Sequence, residues 1–245
     1  MNVRAVVTAG GTVDAALAAA IGTGIKALAP CANGTLIDAV LAACAAAGLD
    51  DVAVVGGPEV RAHLRGSGAR VIDAADDGGE NALRALGAWP GERFVYLTSD
   101  LPFIDGSGLA DFVARSGAFG LTMALADERA YGERFPGAPD HGVSLACERL
   151  VNGNAFVVAP EAVAPARAFA ARLFAARKSL FALARLLGPG LCARFVIRRL
   201  TVDDIERFAG RALGVPVAAL RNCDPGLCYD VDTLRDYDYA CSLRV

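Results

Sequence analysis

Short apolar, β-branched runs alternate along this 245-residue chain with longer Ala/Leu-rich segments of helical period. A strand buried on both faces is apolar throughout, whereas a helix lying on a sheet needs one apolar stripe, so the alternation reads as repeated βα units. The pattern predicts strands at Arg4–Thr8, Val52–Gly56, Arg70–Ile72, Phe94–Thr98, Gly120–Leu125 and Ala155–Val158. It predicts helices at Thr35–Ala47, Asn81–Ala88, Gly108–Ser116, Ser179–Leu187, Val202–Leu213 and Leu234–Ser242. The span Ala126–Val151, with Tyr131, Arg134, Phe135, Pro136, Pro139 and His141, keeps neither period and reads as a long irregular loop, either functional or mobile. No repeat, low-complexity tail or linker breaks the pattern, and the length fits one α/β domain over residues 1–245.

Composition narrows the function classes. A net charge of −3 argues against non-specific nucleic-acid binding by the whole surface. No uncharged apolar run reaches membrane-spanning length, and Met1-Asn2-Val3-Arg4 runs directly into a strand, so neither a transmembrane segment nor a signal peptide is expected. The seven cysteines are odd in number and scattered. Cys223-x4-Cys228 has no second pair and no nearby histidine, which makes reduced cytoplasmic thiols the expectation and zinc an unsuitable cofactor.

Charge identity changes the picture further. Lysine occurs only at 26 and 178 in a chain that otherwise uses arginine, so a compact ammonium is kept at two places. Lys26 follows the glycine turn after the first strand, and Lys178 lies in an acid-free basic stretch. Both positions suit phosphate. The turn itself, Thr8-Ala9-Gly10-Gly11, lets backbone approach a ligand closely and offers N–H groups to an anion. It lacks the third glycine of a dinucleotide fingerprint and the G-K-[ST] of a P-loop. The strand ending Thr98-Ser99-Asp100-Leu101-Pro102 places Asp100 at a carboxyl end, where open α/β sheets bind ligands and a carboxylate beside a nucleotide holds Mg²⁺. Asp230 and Asp232 alternate along an extended segment and share a face, and Thr233 with Asp236 has capping-box spacing. Together they suit a divalent ion. His63 reads as a surface residue, His141 as a loop residue with nothing nearby to orient it, and Trp89 as packing.

Ala9-Gly10-Gly11, Lys26-Ala27-Leu28, Ser99-Asp100-Leu101-Pro102-Phe103, Asn152-Gly153-Asn154-Ala155-Phe156 and Asp230-Val231-Asp232-Thr233-x-x-Asp236 occur in the order seen in MobA-like nucleotidyltransferases. The chain resembles the molybdenum-cofactor guanylyltransferases and, more distantly, cytidylyltransferases of sugar and isoprenoid precursors. The resemblance implies a three-layer α/β/α Rossmann-like (GT-A-type) fold with a mixed, mostly parallel sheet. It implies Mg²⁺-dependent transfer of a nucleoside monophosphate from an NTP to a small phosphorylated acceptor, with pyrophosphate released. Carried over, Ala9, Gly10 and Gly11 line the nucleotide and Lys26 contacts its phosphates. Asp100 is the central metal ligand, Asp232 the second carboxylate, and Asp230 an additional one. Gly79 and Asn81 match positions that touch base or ribose, and Asn152 and Asn154 fall where the acceptor is faced.

The family turn usually reads A-G-G-x-S-x-R-M-G, whereas residues 12–25 here contain no basic residue. That departure marks a sub-branch of unassigned substrate and leaves Lys178 or a neighbouring arginine to take over the triphosphate or acceptor contact. From Ala162 to Val202 the chain has eight basic residues and no acid. The plain reading is a solvated face on core-packed helices, with Lys178 alone assigned to the acceptor; peripheral contact with an anionic membrane surface stays open. Two alternatives remain: a GT-A-type glycosyltransferase, because Asp230-Val231-Asp232 spells D-x-D, and a non-catalytic nucleotide-binding regulatory protein.

Overall fold

The expected strands all lie in one sheet and are neighbours in it. The computed structural model describes residues 3–32, 34–176 and 179–243; Lys178 therefore lies outside the described residues. The chain runs β1 (Arg4–Thr8), α1 (Ala15–Ile21), β2 (Pro30–Cys31), β3 (Gly34–Thr35), α2 (Leu36–Ala46), β4 (Val52–Gly56), α3 (Pro58–His63) and β5 (Arg70–Asp73). Then come α4 (Gly78–Leu86), β6 (Phe94–Thr98), α5 (Gly106–Arg115), β7 (Leu121–Asp127), α6 (Glu128–Arg134), β8 (Gly142–Ser144) and β9 (Arg149–Val158). The C-terminal part is α7 (Pro160–Ala176), α8 (Leu180–Leu187), α9 (Pro189–Val196), α10 (Val202–Leu213), β10 (Val217–Leu220) and α11 (Leu234–Ser242).

Strand order is β10-β7-β9-β6-β1-β4-β5, with β8 paired to β9. The β1–β4, β1–β6, β4–β5 and β10–β7 pairs are parallel, and β9 runs antiparallel to both β6 and β7. The sheet is mixed and mostly parallel, as the resemblance implies.

The order reverses at β1. The chain first moves outward through β4 and β5, then returns to add β6 on the other side of β1. Right-handed crossovers in opposite directions put their helices on opposite faces, which produces the outer two layers. Side-chain alternation fits this arrangement. Ala5 and Val7 pack with Leu36, Ile37, Val40, Leu109 and Phe112 of α2 and α5, while Val6 packs with Ala85 of α4 and Ala162 of α7. Phe112 is fully buried, and deleting such a ring costs about 3–5 kcal/mol.

Differences from the predicted elements have local causes. Two helices, α4 and α5, start earlier than the apolar pattern indicates because Asp77 and Asp105 cap them, each accepting two backbone N–H groups. The loop Ala126–Val151 contains a helix, α6, capped by Asp127, and a short strand, β8. Strand β9 begins at Arg149, not Ala155, because Asn152-Gly153-Asn154 is extended. Glycine is required inside that strand, since a Cβ at Gly153 would sit 2.7 Å from the Ala124 carbonyl oxygen. The reading of the basic stretch as core-packed helices holds for α7, which packs on α4 and α10, but not for α9, which buries no residue. No helix among the described residues is long and apolar enough to cross a membrane.

Candidate active site

The reversal of strand order leaves a crevice at the carboxyl ends of β1 and β6, where ligands bind in open α/β sheets. Thr8-Ala9-Gly10-Gly11 leaves β1 there and Ser99-Asp100 leaves β6, linked by the Ser99 N–H donating to the Thr8 carbonyl at 3.1 Å. The helix that follows β6 is capped by Asp105, so Asp100 is not spent as a cap. Asp100 is 8% exposed, and its Oδ1 is buried without a hydrogen-bond partner among the described residues.

The C-terminal segment meets this point through backbone. The Val231 N–H donates to the Asp100 carbonyl at 3.0 Å, which sets Asp230 and Asp232 on either side of a fixed residue. Two devices hold the segment. Tyr229 is fully buried among Phe103, Phe135, Tyr131 and Tyr239, and its hydroxyl donates to the Asp236 carbonyl at 2.8 Å. Thr233 and Asp236 form the expected capping box of α11, with Asp236 Oδ2 also accepting from the Asp232 N–H. One oxygen each from Asp100, Asp230 and Asp232 lies within 4.8 Å of the other two.

Lys26 completes the cluster. Its Nζ donates to Asp100 Oδ2 at 2.8 Å and to Asp232 Oδ1 at 2.5 Å. The 14 residues between Gly11 and Lys26, devoid of basic groups, close on themselves. Thr12 bridges Ile25, the Val13 N–H donates to Gly24, and the Lys26 N–H donates to Gly11. Asp14 caps α1 inside this excursion and Gly22 ends it at φ 73°. The rebuilt turn thus delivers Lys26 while supplying no second cation. Burial works against the ammonium, but the adjacent charge of Asp100 and then the contact with Asp232 prevail and hold its pKa above the usual lysine value. Asp230 moves the other way. Burial first, then the neighbouring charges of Asp100 and Asp232, push its carboxyl up to about 6.

The remaining sequence-derived positions divide. A Cβ at Gly10 would stand 2.5 Å from Asn81 Nδ2, so packing demands glycine there. At Gly11 it would make only an ordinary 3.9 Å contact with Lys26. Asn81 is buried, and its amide is used in both directions on Ala75, accepting from the N–H at 2.6 Å and donating to the carbonyl at 2.9 Å. It shapes the wall behind Gly10. Gly79 is pressed against Phe174 of α7, and its N–H is capped by Asp77. Asn152 is exposed and paired with Leu125 in the sheet; Asn154, half-buried, follows the same edge one residue before the Ala155–Leu97 pair. Among the described residues, no hydrogen bond joins Asn152 or Asn154 to the carboxylate cluster.

His141 corrects an expectation. The structure orients it against the rings of Tyr131 and Tyr229, with Nδ1 3.9 Å from Asp230 Oδ1 and Nε2 3.3 Å from Asp236 Oδ1. No sequence signal marks it, because the acids it faces, Asp230 and Asp236, lie about 90 residues further along the chain.

No curated protein sequence matches the chain. Among solved structures, it is similar to a hypothetical transferase from Thermus thermophilus at 29% identity and a TM-score of 0.82, covering 96% of this chain and 99% of that one. It shares its fold with the 2-C-methyl-D-erythritol 4-phosphate cytidylyltransferase of Thermus thermophilus, at 18% identity, 100% and 99% coverage and a TM-score of 0.57. It also shares it with Rv0371c of Mycobacterium tuberculosis H37Rv, solved with manganese, at 20% identity, 99% and 100% coverage and a TM-score of 0.57. The family described as MobA-like NTP transferase domain matches residues 5–210, and the chain belongs to that family.

Proposed function

We propose that this protein, acting as one domain over residues 1–245, transfers a nucleoside monophosphate from an NTP to a small phosphorylated acceptor and releases pyrophosphate. The observation that carries the reading is the convergence of Asp100, Asp230, Asp232 and Lys26 at the strand-order reversal. A chain that only bound a nucleotide has no need to gather three carboxylates around one lysine. The donors are all hard oxygens and Asp100 Oδ1 has no hydrogen-bond partner among the described residues, which fits a divalent cation such as Mg²⁺. Asp100 and Asp232, with Asp230, would hold it, and bound there it neutralises phosphate charge at the reacting centre.

The chain's own residues do the positioning. The Gly10–Gly11 backbone accepts the nucleotide alongside Asn81; the fold itself does not demand glycine at Gly11, so a close ligand supplies the reason for it. Lys26 donates to the phosphates and stabilises the charge that develops towards the leaving pyrophosphate. No general base is required, because an acceptor phosphate is already an anion at neutral pH. Asn152 and Asn154, with Lys178, face the acceptor in this reading. A cytoplasmic site of action suits the thiol-rich composition.

The test is a thermal-shift panel of ATP, CTP, GTP and UTP with and without Mg²⁺, followed by pyrophosphate release with phosphorylated acceptors. One nucleotide should stand out, with a larger shift when Mg²⁺ is present. Asp100→Asn should lower turnover by about 10²-fold or more. Unchanged turnover in that variant would remove the carboxylate cluster from the mechanism.

A further inference from the structure

The end of α9 is built unlike the rest of the surface. Phe195, Val196 and Ile197 are 61%, 77% and 61% exposed, and Phe181 on the adjoining α8 is 80% exposed. Apolar residues this large and consecutive are seldom left in water without a use. Arginines bracket them: Arg194 before, Arg198 and Arg199 after. Arg198 sits at φ 54°, a left-handed position that glycine would occupy without strain. Arg198 and Arg199 have no acidic partner among the described residues, whereas Arg194 pairs with Asp204 at 3.0 Å and ties α9 to α10.

Beside this tip is a cavity of about 270 Å³ lined by Gly190, Leu191, Arg194, Asp204, Arg207 and Arg211. Arg194 and Arg207 both reach Asp204, so three guanidinium groups face one carboxylate and the cavity stays positive. An apolar tip rimmed by arginines, next to an arginine-lined hollow large enough for a phosphate, is the chemistry of an interfacial anchor.

We infer that α9 docks this protein on an anionic lipid surface: Phe195, Val196 and Ile197 enter the acyl boundary, while Arg194, Arg198, Arg199 and the Arg207–Arg211 hollow engage headgroup phosphates. A second copy of the chain fits poorly. A two-fold contact would set Arg198 and Arg199, which have no acidic partner among the described residues, against their own copies. A soluble phosphate would use the hollow and leave the apolar tip unexplained.

The test is co-sedimentation of the full chain with vesicles of phosphatidylcholine and phosphatidylglycerol, beside vesicles of phosphatidylcholine alone. Binding is expected to the mixed vesicles only and to weaken as salt rises. Arg198→Gln with Arg199→Gln should weaken it by about 25-fold, at about fivefold per arginine. Phe195→Ser with Val196→Ser and Ile197→Ser should abolish it with the melting temperature retained, since these side chains are exposed. Absence of binding to mixed vesicles, equal binding by the variants, or a concentration-dependent dimer lost in the serine variant would each overturn the inference. Nucleotide transfer uses none of these residues, so that reading stands or falls separately.

Discussion

Replacing Lys26 with methionine asks whether the ammonium holds the carboxylate cluster together. Two contacts are removed, and they are unequal. The Lys26 side chain is 15% exposed and Asp100 12%, but Asp232 is 62% exposed, so water screens the second contact although it is the shorter at 2.5 Å. The Asp100 contact at 2.8 Å amounts to about 6 kcal/mol of gross attraction at an effective dielectric constant of about 20. Ammonium desolvation cancels part of it. The variant, however, leaves Asp100 buried beside two other acids with no cation, and breaking a buried pair in this way costs about 3–5 kcal/mol. For a chain of this size that is about 6–20 °C in melting temperature. Added Mn²⁺ should restore about 2.7 kcal/mol at a hundredfold excess over its dissociation constant. It should stabilise Lys26→Met more than wild type, where it must displace the lysine. Calorimetric melting in chelator and in Mn²⁺ reads both effects. If the variant melts within about 2 °C of wild type in chelator, or if Mn²⁺ shifts both proteins equally, Lys26 is not the internal counter-ion of this site.

Two further outcomes are expected. In Gly226→Ala the new methyl would meet the carbonyl of Phe103, which is backbone on backbone and cannot rotate away. The variant should lose about 1–3 kcal/mol by denaturant unfolding and lose turnover beyond that, because the displaced turn carries Asp230 and Asp232; turnover equal to wild type would contradict the coupling. Asp204, capped by Thr201 and paired with Arg207 and Arg194, has its carboxyl held down to about 2, despite burial acting in the opposite direction. A depressed carboxyl stabilises the fold above its unfolded value near 4 and loses that contribution as pH falls towards 2. The wild-type melting temperature should therefore fall more steeply over that interval than that of Asp204→Asn, and parallel curves would refute the assignment.

Much of the fold was legible because strand and helix periods are local properties. The uninterrupted apolar run of β4 and the alternating contacts of β1 announce a sheet covered on both faces. What eluded the pattern has physical reasons: α6 is too short and polar to show a period, and the first half of β9 contains Asn-Gly-Asn, which resembles a turn until Ala124 packs on it.

By itself the sequence determined the doubly covered sheet, the glycine turn after β1, the capping box of α11, and the identities of Lys26, Asp100, Asp230 and Asp232. Only the tertiary structure decided that Lys26 bridges two carboxylates 74 and 206 residues away, that His141 leans on Tyr229, that Asn81 is spent on Ala75, and that α9 leaves its apolar end in water. Local propensity acts over a few residues and can be read along the chain. Contacts across such separations depend on how β1, β6 and the C-terminal turn come together, which no short window of residues encodes.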